Sequence, residues 1–257
     1  MASAKLFLGF VLISALAIAG MALEPSKGAP SDLRYFITDV GQFLIIAFAA
    51  AIGIKQAKAF SFGSALGKSL LFISIGLLFW GFGALTWLYY NIAMKLEVPY
   101  PSIADALFVG TVLSASWGLF WLLKSIKNSF DAGTIIKLAV IPVAVFAVTY
   151  ILFIQSKLVE NVSGIEKALN VFYPVGDAVF LSFTIVLLTL IRGGKMFKPI
   201  SIICAGFIIQ SMADFSFSWT TSAGTYYTGN WVDILFSLAF FTIGAGMYYT
   251  KDLLDVK

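Results

Sequence analysis

The sequence predicts an all-α fold, a polytopic membrane helical bundle of eight transmembrane helices. Three observations carry that prediction. Hydrophobic residues make up 60% of the 257 positions and charged residues only 12%, about half the charge of a soluble domain. The mean hydropathy is +0.94. The apolar residues also gather into eight runs of about the 20 residues needed to span a hydrocarbon core. Soluble enzymes, disordered regulators and nucleic-acid binders are excluded on these grounds, although a net charge of +4 would by itself suit nucleic acid.

The runs cover approximately 5–23, 34–54, 66–90, 104–123, 136–156, 172–192, 199–219 and 231–250. The first follows Lys5 and stops at Glu24-Pro25; its small stretch Ala17 to Gly20 also fits a cleaved signal peptide, which would leave seven helices. The apolar run continues to Leu23, which favours a retained first helix. The second run ends at Lys55 to Lys58, the third at the Pro99 to Pro101 break, and the fourth at Lys124 to Asp131. The fifth gives way at Lys157 to Lys167, the sixth at Gly193 to Pro199, and the seventh at Ser222 to Asn230, leaving the eighth to close the chain. No connection is long enough for a soluble domain. Residues 1–257 therefore read as one integral membrane domain of four hairpins, 1–62, 63–127, 128–196 and 197–257.

Lysine and arginine placement orients the helices, because positive loops are retained in the cytoplasm. With the amino terminus inside, the inner side holds Lys5, Lys55, Lys58, Lys68, Lys124, Lys127, Lys137, Arg192, Lys195, Lys198, Lys251 and Lys257. Lys27, Arg34, Lys95, Lys157 and Lys167 fall outside with all the acids except Asp131, Asp252 and Asp255. A multi-pass protein of the cell membrane with both termini cytoplasmic is expected.

The outer ends of two helices nearly match. Tyr100-Pro101-Ser102-Ile103-Ala104-Asp105-Ala106-Leu107-Phe108 and Tyr173-Pro174-Val175-Gly176-Asp177-Ala178-Val179-Phe180 share Tyr-Pro, a short spacer, Asp-Ala and Phe. Weaker versions surround Asp39, after Tyr35, and Asp233, after Tyr227. Four aspartates thus begin four inward-running helices, which predicts four helical-hairpin repeats. Each is also a helix-opening device, since a carboxylate accepts from free backbone N–H groups and meets the positive end of the helix dipole. Asp214 differs. It lies at the outer end of an outward-running helix, where the dipole disfavours an anion, and an acid retained in an apolar helix usually faces an interior or a cavity. Asp39, Gln42, Asp105, Asp177, Gln210, Asp214 and Asp233, with Tyr100 and Tyr173, are the candidate ligand- or cation-binding residues of an acidic, aromatic-rimmed pocket.

The rare residues set limits. There is no histidine, which removes imidazole-ligated haem, the usual zinc and copper sites and histidine catalysis. Cys204 is the sole cysteine and reads as a small buried hydrophobe. No cofactor, metal site or catalytic residue is expected. Trp87, Tyr89, Tyr90, Trp219, Tyr226, Tyr227 and Trp231 read as an interfacial belt, whereas Trp80 and Trp117 lie deeper and suit packing or ligand contact. Asn161-Val162-Ser163 is a glycosylation sequon in a loop expected outside.

At Pro101 to Asp105, Tyr173 to Asp177 and Ala213-Asp214-Phe215 the chain resembles the multi-helix membrane sensor regions that precede histidine kinase and diguanylate cyclase output domains. The resemblance implies sensing from the outer side. Only Thr250 to Lys257 follow Tyr249, so such a sensor would signal through a separate protein. The expectation is a non-enzymatic sensor or binding module for a small ligand, lipid or partner. A proton- or cation-coupled transporter or channel is the alternative, and a structural subunit of a membrane complex the second. Expected partners are the lipid bilayer and a small cationic ligand or partner membrane protein, with no nucleic acid.

Overall fold

The computed structural model describes residues 2–24, 31–127, 129–159, 161–191 and 193–254. Among them eight helices are long and apolar enough to cross a membrane. They are α1 (Ala4–Leu23), α2 (Asp32–Ala59), α3 (Ala65–Met94), α4 (Ile103–Ile126), α5 (Ala132–Leu158), α6 (Gly164–Leu190), α7 (Phe197–Ser222) and α8 (Trp231–Leu253). No strand occurs among the described residues. Pro25, Lys27, Glu160, Arg192, Asp255 and Lys257, used above to place breaks and charges, lie outside the described residues.

Polar side chains start most of these helices by accepting from backbone N–H groups that the helix leaves free. Ser31 caps Arg34 N at 3.1 Å, Ser64 caps Gly67 N at 2.9 Å, and Asp131 caps Thr134 N at 2.7 Å. Ser163 caps Glu166 N at 3.2 Å and Asn230 caps Val232 N at 2.8 Å. Lys127 and Thr134, both hydrogen-bonded to exposed Asp131, hold its carboxyl well below the usual carboxylate range.

Two of these caps correct the expectation that all four aspartates open helices. Because Ser163 starts α6 at Gly164, the helix runs through Tyr173 and Pro174, and Asp177 lies in its interior. Ser31 likewise starts α2 ahead of Asp39. Only Asp105 and Asp233 sit in first turns. The two Tyr-Pro motifs therefore occupy different places, Tyr100-Pro101 before its helix and Tyr173-Pro174 within one.

Helices consecutive in the chain alternate in direction, and two consecutive pairs interlock through small residues. A Cβ on Gly76 would stand 3.1 Å from Ala115, and one on Gly118 would stand 2.7 Å from Ile73, so α3 and α4 touch backbone to backbone. The α7–α8 pair has the same register: Gly206 meets Ile243 and Gly246 meets Ile203 at 2.5 and 2.6 Å. In each pair the first-turn aspartate, Asp105 or Asp233, lies thirteen residues before the second glycine. α2 runs parallel to α8, with Gly53 against Met247 and Ala49 against Gly244. α8 is the most buried helix and α5 the most peripheral.

The alternation sorts the charges. Asp39, Asp105, Asp177, Asp214 and Asp233 gather at one end of the helices, the acidic end. Lys55, Lys58, Lys68, Lys124, Lys198 and Lys251 lie at the opposite ends of the same helices, the basic end. The basic half is filled by side chains with no exposure beyond 1%, including Leu70, Ile73, Leu119, Leu122, Ile203 and Ile243. Cys204 is buried among them at 0%.

Candidate functional site

The acidic half is not filled. It encloses a cavity of about 880 Å³ whose walls come from α2, α3, α4, α5, α6, α7 and α8 and the loops between them. Asp39, Gln42, Tyr100, Asp105, Tyr173, Asp177, Asp214 and Asp233 all line it, and Gln210 lines a recess of about 20 Å³ beside Asp177 and Asp214. Nine residues singled out in sequence thus share one location. Asn161 is exposed in the α5–α6 loop and does not contribute. Asp32, Glu97, Arg34, Lys95 and Lys157 complete the charges, seven acids facing three bases.

The five aspartates divide by how fully they are bonded. Asp105 closes a capping box: Ser102 N donates to its Oδ2 at 2.7 Å and the Ser102 hydroxyl at 3.2 Å, while Tyr173 OH donates to Oδ1 at 2.7 Å. Asp233 accepts from Gly229 N at 2.7 Å, from Gln42 Nε2 at 3.3 Å and from Tyr226 OH at 3.3 Å. Burial, reinforced by Asp233 and Asp39, pushes the Tyr226 hydroxyl well above its ordinary value, so it remains a donor. Hydrogen bonds to a charged group contribute about 1.5–3 kcal/mol each. Three of them offset the roughly 2.5–3.5 kcal/mol that an acid costs within a membrane helix.

Asp39, Asp177 and Asp214 lie where the helix has already used its backbone N–H groups, so no first-turn donor reaches them. Asp39 is 4% exposed and its Oδ2 has no hydrogen-bond partner. The Asp177 and Asp214 carboxyls meet within hydrogen-bond contact. Gln210 Nε2 donates to Asp214 Oδ2 at 2.9 Å, which turns Gln210 Oε1 away, buried at 3% exposure and without a partner. Two carboxyls in contact need a proton or a cation between them. The unmet acceptors among these groups, Asp39 Oδ2 and Gln210 Oε1, are the complement of a cation with N–H groups.

Aromatic rings supply the apolar surface. Trp80 of α3 lies between Phe108 of α4 and Phe236 of α8, with centroids 4.7 and 4.8 Å away, and it borders both cavity and recess. Phe108, Phe180 and Phe236 each follow an aspartate by three residues, hence on the same helix face; that spacing was readable in the sequence. Trp87, Tyr226 and Tyr227 also line the cavity rather than serving only the outer belt. Tyr89, Trp219 and Trp231 are at least half exposed and face outward. Trp117 is corrected: it is 48% exposed and stacks on Phe120 at 5.0 Å, outside the cavity.

Three π-helical turns stand at the acidic end, Phe36–Val40, Tyr89–Met94 and Tyr150–Ile154. Each contributes one lining residue, Asp39, Asn91 and Phe153. Such turns re-aim side chains and recur at functional sites; nothing in the local sequence announced them. Among the described residues no group of three or more potential ligands converges on a metal position.

Comparison with known protein families, curated proteins and solved structures finds no match to this chain. The resemblance to membrane sensor regions rests on the quoted motifs alone.

Proposed function

We propose that the chain is a non-enzymatic, multi-pass membrane protein that holds a small organic cation in its acidic cavity, as a sensor or binding module. The observation that carries this reading is the set of mid-helix carboxyls, Asp39, Asp177 and Asp214, gathered in one aromatic-walled cavity with buried acceptor atoms left unmet. Clefts of this size, apolar with a few placed polar groups, are the usual form of small-molecule sites. An ammonium ligand brings donors and no acceptor and gains further from ring faces. The sorted charges support an outward-facing cavity and cytoplasmic termini. The common glycine register of α3–α4 and α7–α8 supports their descent from one hairpin unit. The close packing of the basic half supports binding over passage, because Leu70, Ile73, Leu119, Ile203 and Ile243 are buried there to 1% exposure or less and the polar side chains among them, Ser69 and Ser74, are small and fully buried.

Thermal unfolding of the purified full chain with a primary amine, and with the matched alcohol and carboxylic acid, tests the reading. The amine alone raises the midpoint, by the several degrees that about 2.7 kcal/mol of ligand stabilisation gives at 100-fold excess over Kd. The Asp177→Asn, Asp214→Asn double variant shows no such rise. In liposomes the wild type conducts neither protons nor the amine. A flux that the double variant abolishes would replace this reading with transport.

A further inference from the structure

We infer that the ligand is a linear aliphatic diamine or polyamine with primary ammonium ends. This deepens, and rests on, the amine reading of the cavity. It follows from the shape and the spare acceptors of two separate acidic subsites.

The first subsite is the recess between α6 and α7. Asp177, Asp214 and Gln210, whose Oε1 is unpartnered, form its polar wall, Trp80, Phe108 and Phe180 are part of its apolar wall, and its volume is about 20 Å³. A space of roughly 10–15 Å³ already holds one water, so the recess accepts a group of that size and no more. A primary ammonium is that size, and its three N–H donors match the three acceptors. A trimethylammonium group, larger and without N–H, does not enter.

The second subsite joins α2 and α8. Asp39 lies beside Asp233, and its buried Oδ2 remains unpartnered. Asp233 is already saturated by Gly229, Gln42 and Tyr226, so Asp39 is the carboxyl left to take a second ammonium.

Trp80 connects the two. It borders the recess with Asp177 and Asp214 and the cavity with Asp39 and Asp233, flanked by Phe108 and Phe236. A methylene chain lying over these rings would remove apolar surface from water on both sides, while each ammonium reaches a carboxyl. A monoamine satisfies one end and leaves the other pair facing itself.

Titration calorimetry of the detergent-solubilised full chain tests this with cadaverine, n-pentylamine and pentane-bis(trimethylammonium). The diamine binds more tightly than the monoamine by about tenfold or more, the value of one added charge-assisted contact, and the bis-quaternary compound does not bind. Asp39→Asn lowers cadaverine affinity to that which n-pentylamine has for the wild type, and a thermal unfolding midpoint near that of the wild type shows that the variant folds. Equal affinity for cadaverine and n-pentylamine overturns the two-ended ligand while leaving an amine site standing. Binding of the bis-quaternary compound as tightly as cadaverine overturns the primary-ammonium recess. No heat with any of the three overturns this inference and the amine reading together.

Discussion

Asp105 and Asp177 sit in nearly the same local sequence and end in different surroundings. The Ser102 cap makes Asp105 the third residue of its helix, where backbone and hydroxyl donors are free, and Tyr173 takes its other oxygen. Asp177 gains no such donors, because a cap fourteen residues upstream, Ser163, extends the helix past it. Asp105→Ala is therefore expected to destabilise the protein by about 2–4 kcal/mol, from the lost cap and the stranded Tyr173 hydroxyl. Asp177→Asn should change stability by less than about 1 kcal/mol, since the new amide donates to Asp214. Thermal unfolding of both variants in the same detergent separates the two roles. That aspartate must carry the polar chemistry was legible from the missing histidine. Which aspartates are caps was not, because Ser31 and Ser163 compete with the nearer Tyr-Pro signals, and a proline inside an apolar helix is tolerated when neighbours re-satisfy the backbone.

At the scale of elements, eight apolar runs were sufficient to place eight helices, with ends displaced by a few residues except at α6. Contact between helices was less legible, because glycine is common in membrane helices and only the fold shows which glycines face a neighbour. Gly206 is one: a Cβ there would stand 2.5 Å from the Ile243 side chain and 2.8 Å from its backbone nitrogen. Gly164, at the first position of α6, has nothing within 4 Å. Gly206→Val should cost about 1–3 kcal/mol through overpacking, whereas Gly164→Ala should be neutral or stabilise by up to about 1 kcal/mol. Paired denaturation curves check this, and a Gly206→Val protein as stable as wild type would contradict the α7–α8 contact. The π-helical turns that aim Asp39, Asn91 and Phe153 into the cavity have no signal in side-chain periodicity, so the shape of the site could not be read before the fold.

For the whole molecule, the proposed orientation places the acidic end outside. Single cysteines test it without background, because Cys204 is fully buried. A Lys95→Cys protein should react with a membrane-impermeant thiol reagent on intact cells, and a Lys195→Cys protein only after lysis. The reverse pattern would turn the cavity toward the cytoplasm. Charge sorting made this geometry legible in sequence, since alternate helices must bring their like ends together; the enclosed volume, the rings of Trp80, Phe108 and Phe236, and the unmet acceptors became visible only with side chains in place. The most direct test of the central claim is a calorimetric titration of the full chain with a primary amine, comparing wild type with the Asp177→Asn, Asp214→Asn variant at matched thermal stability. The account predicts saturable binding of one amine per chain by the wild type and none by the variant. Identical isotherms from the two proteins would contradict it.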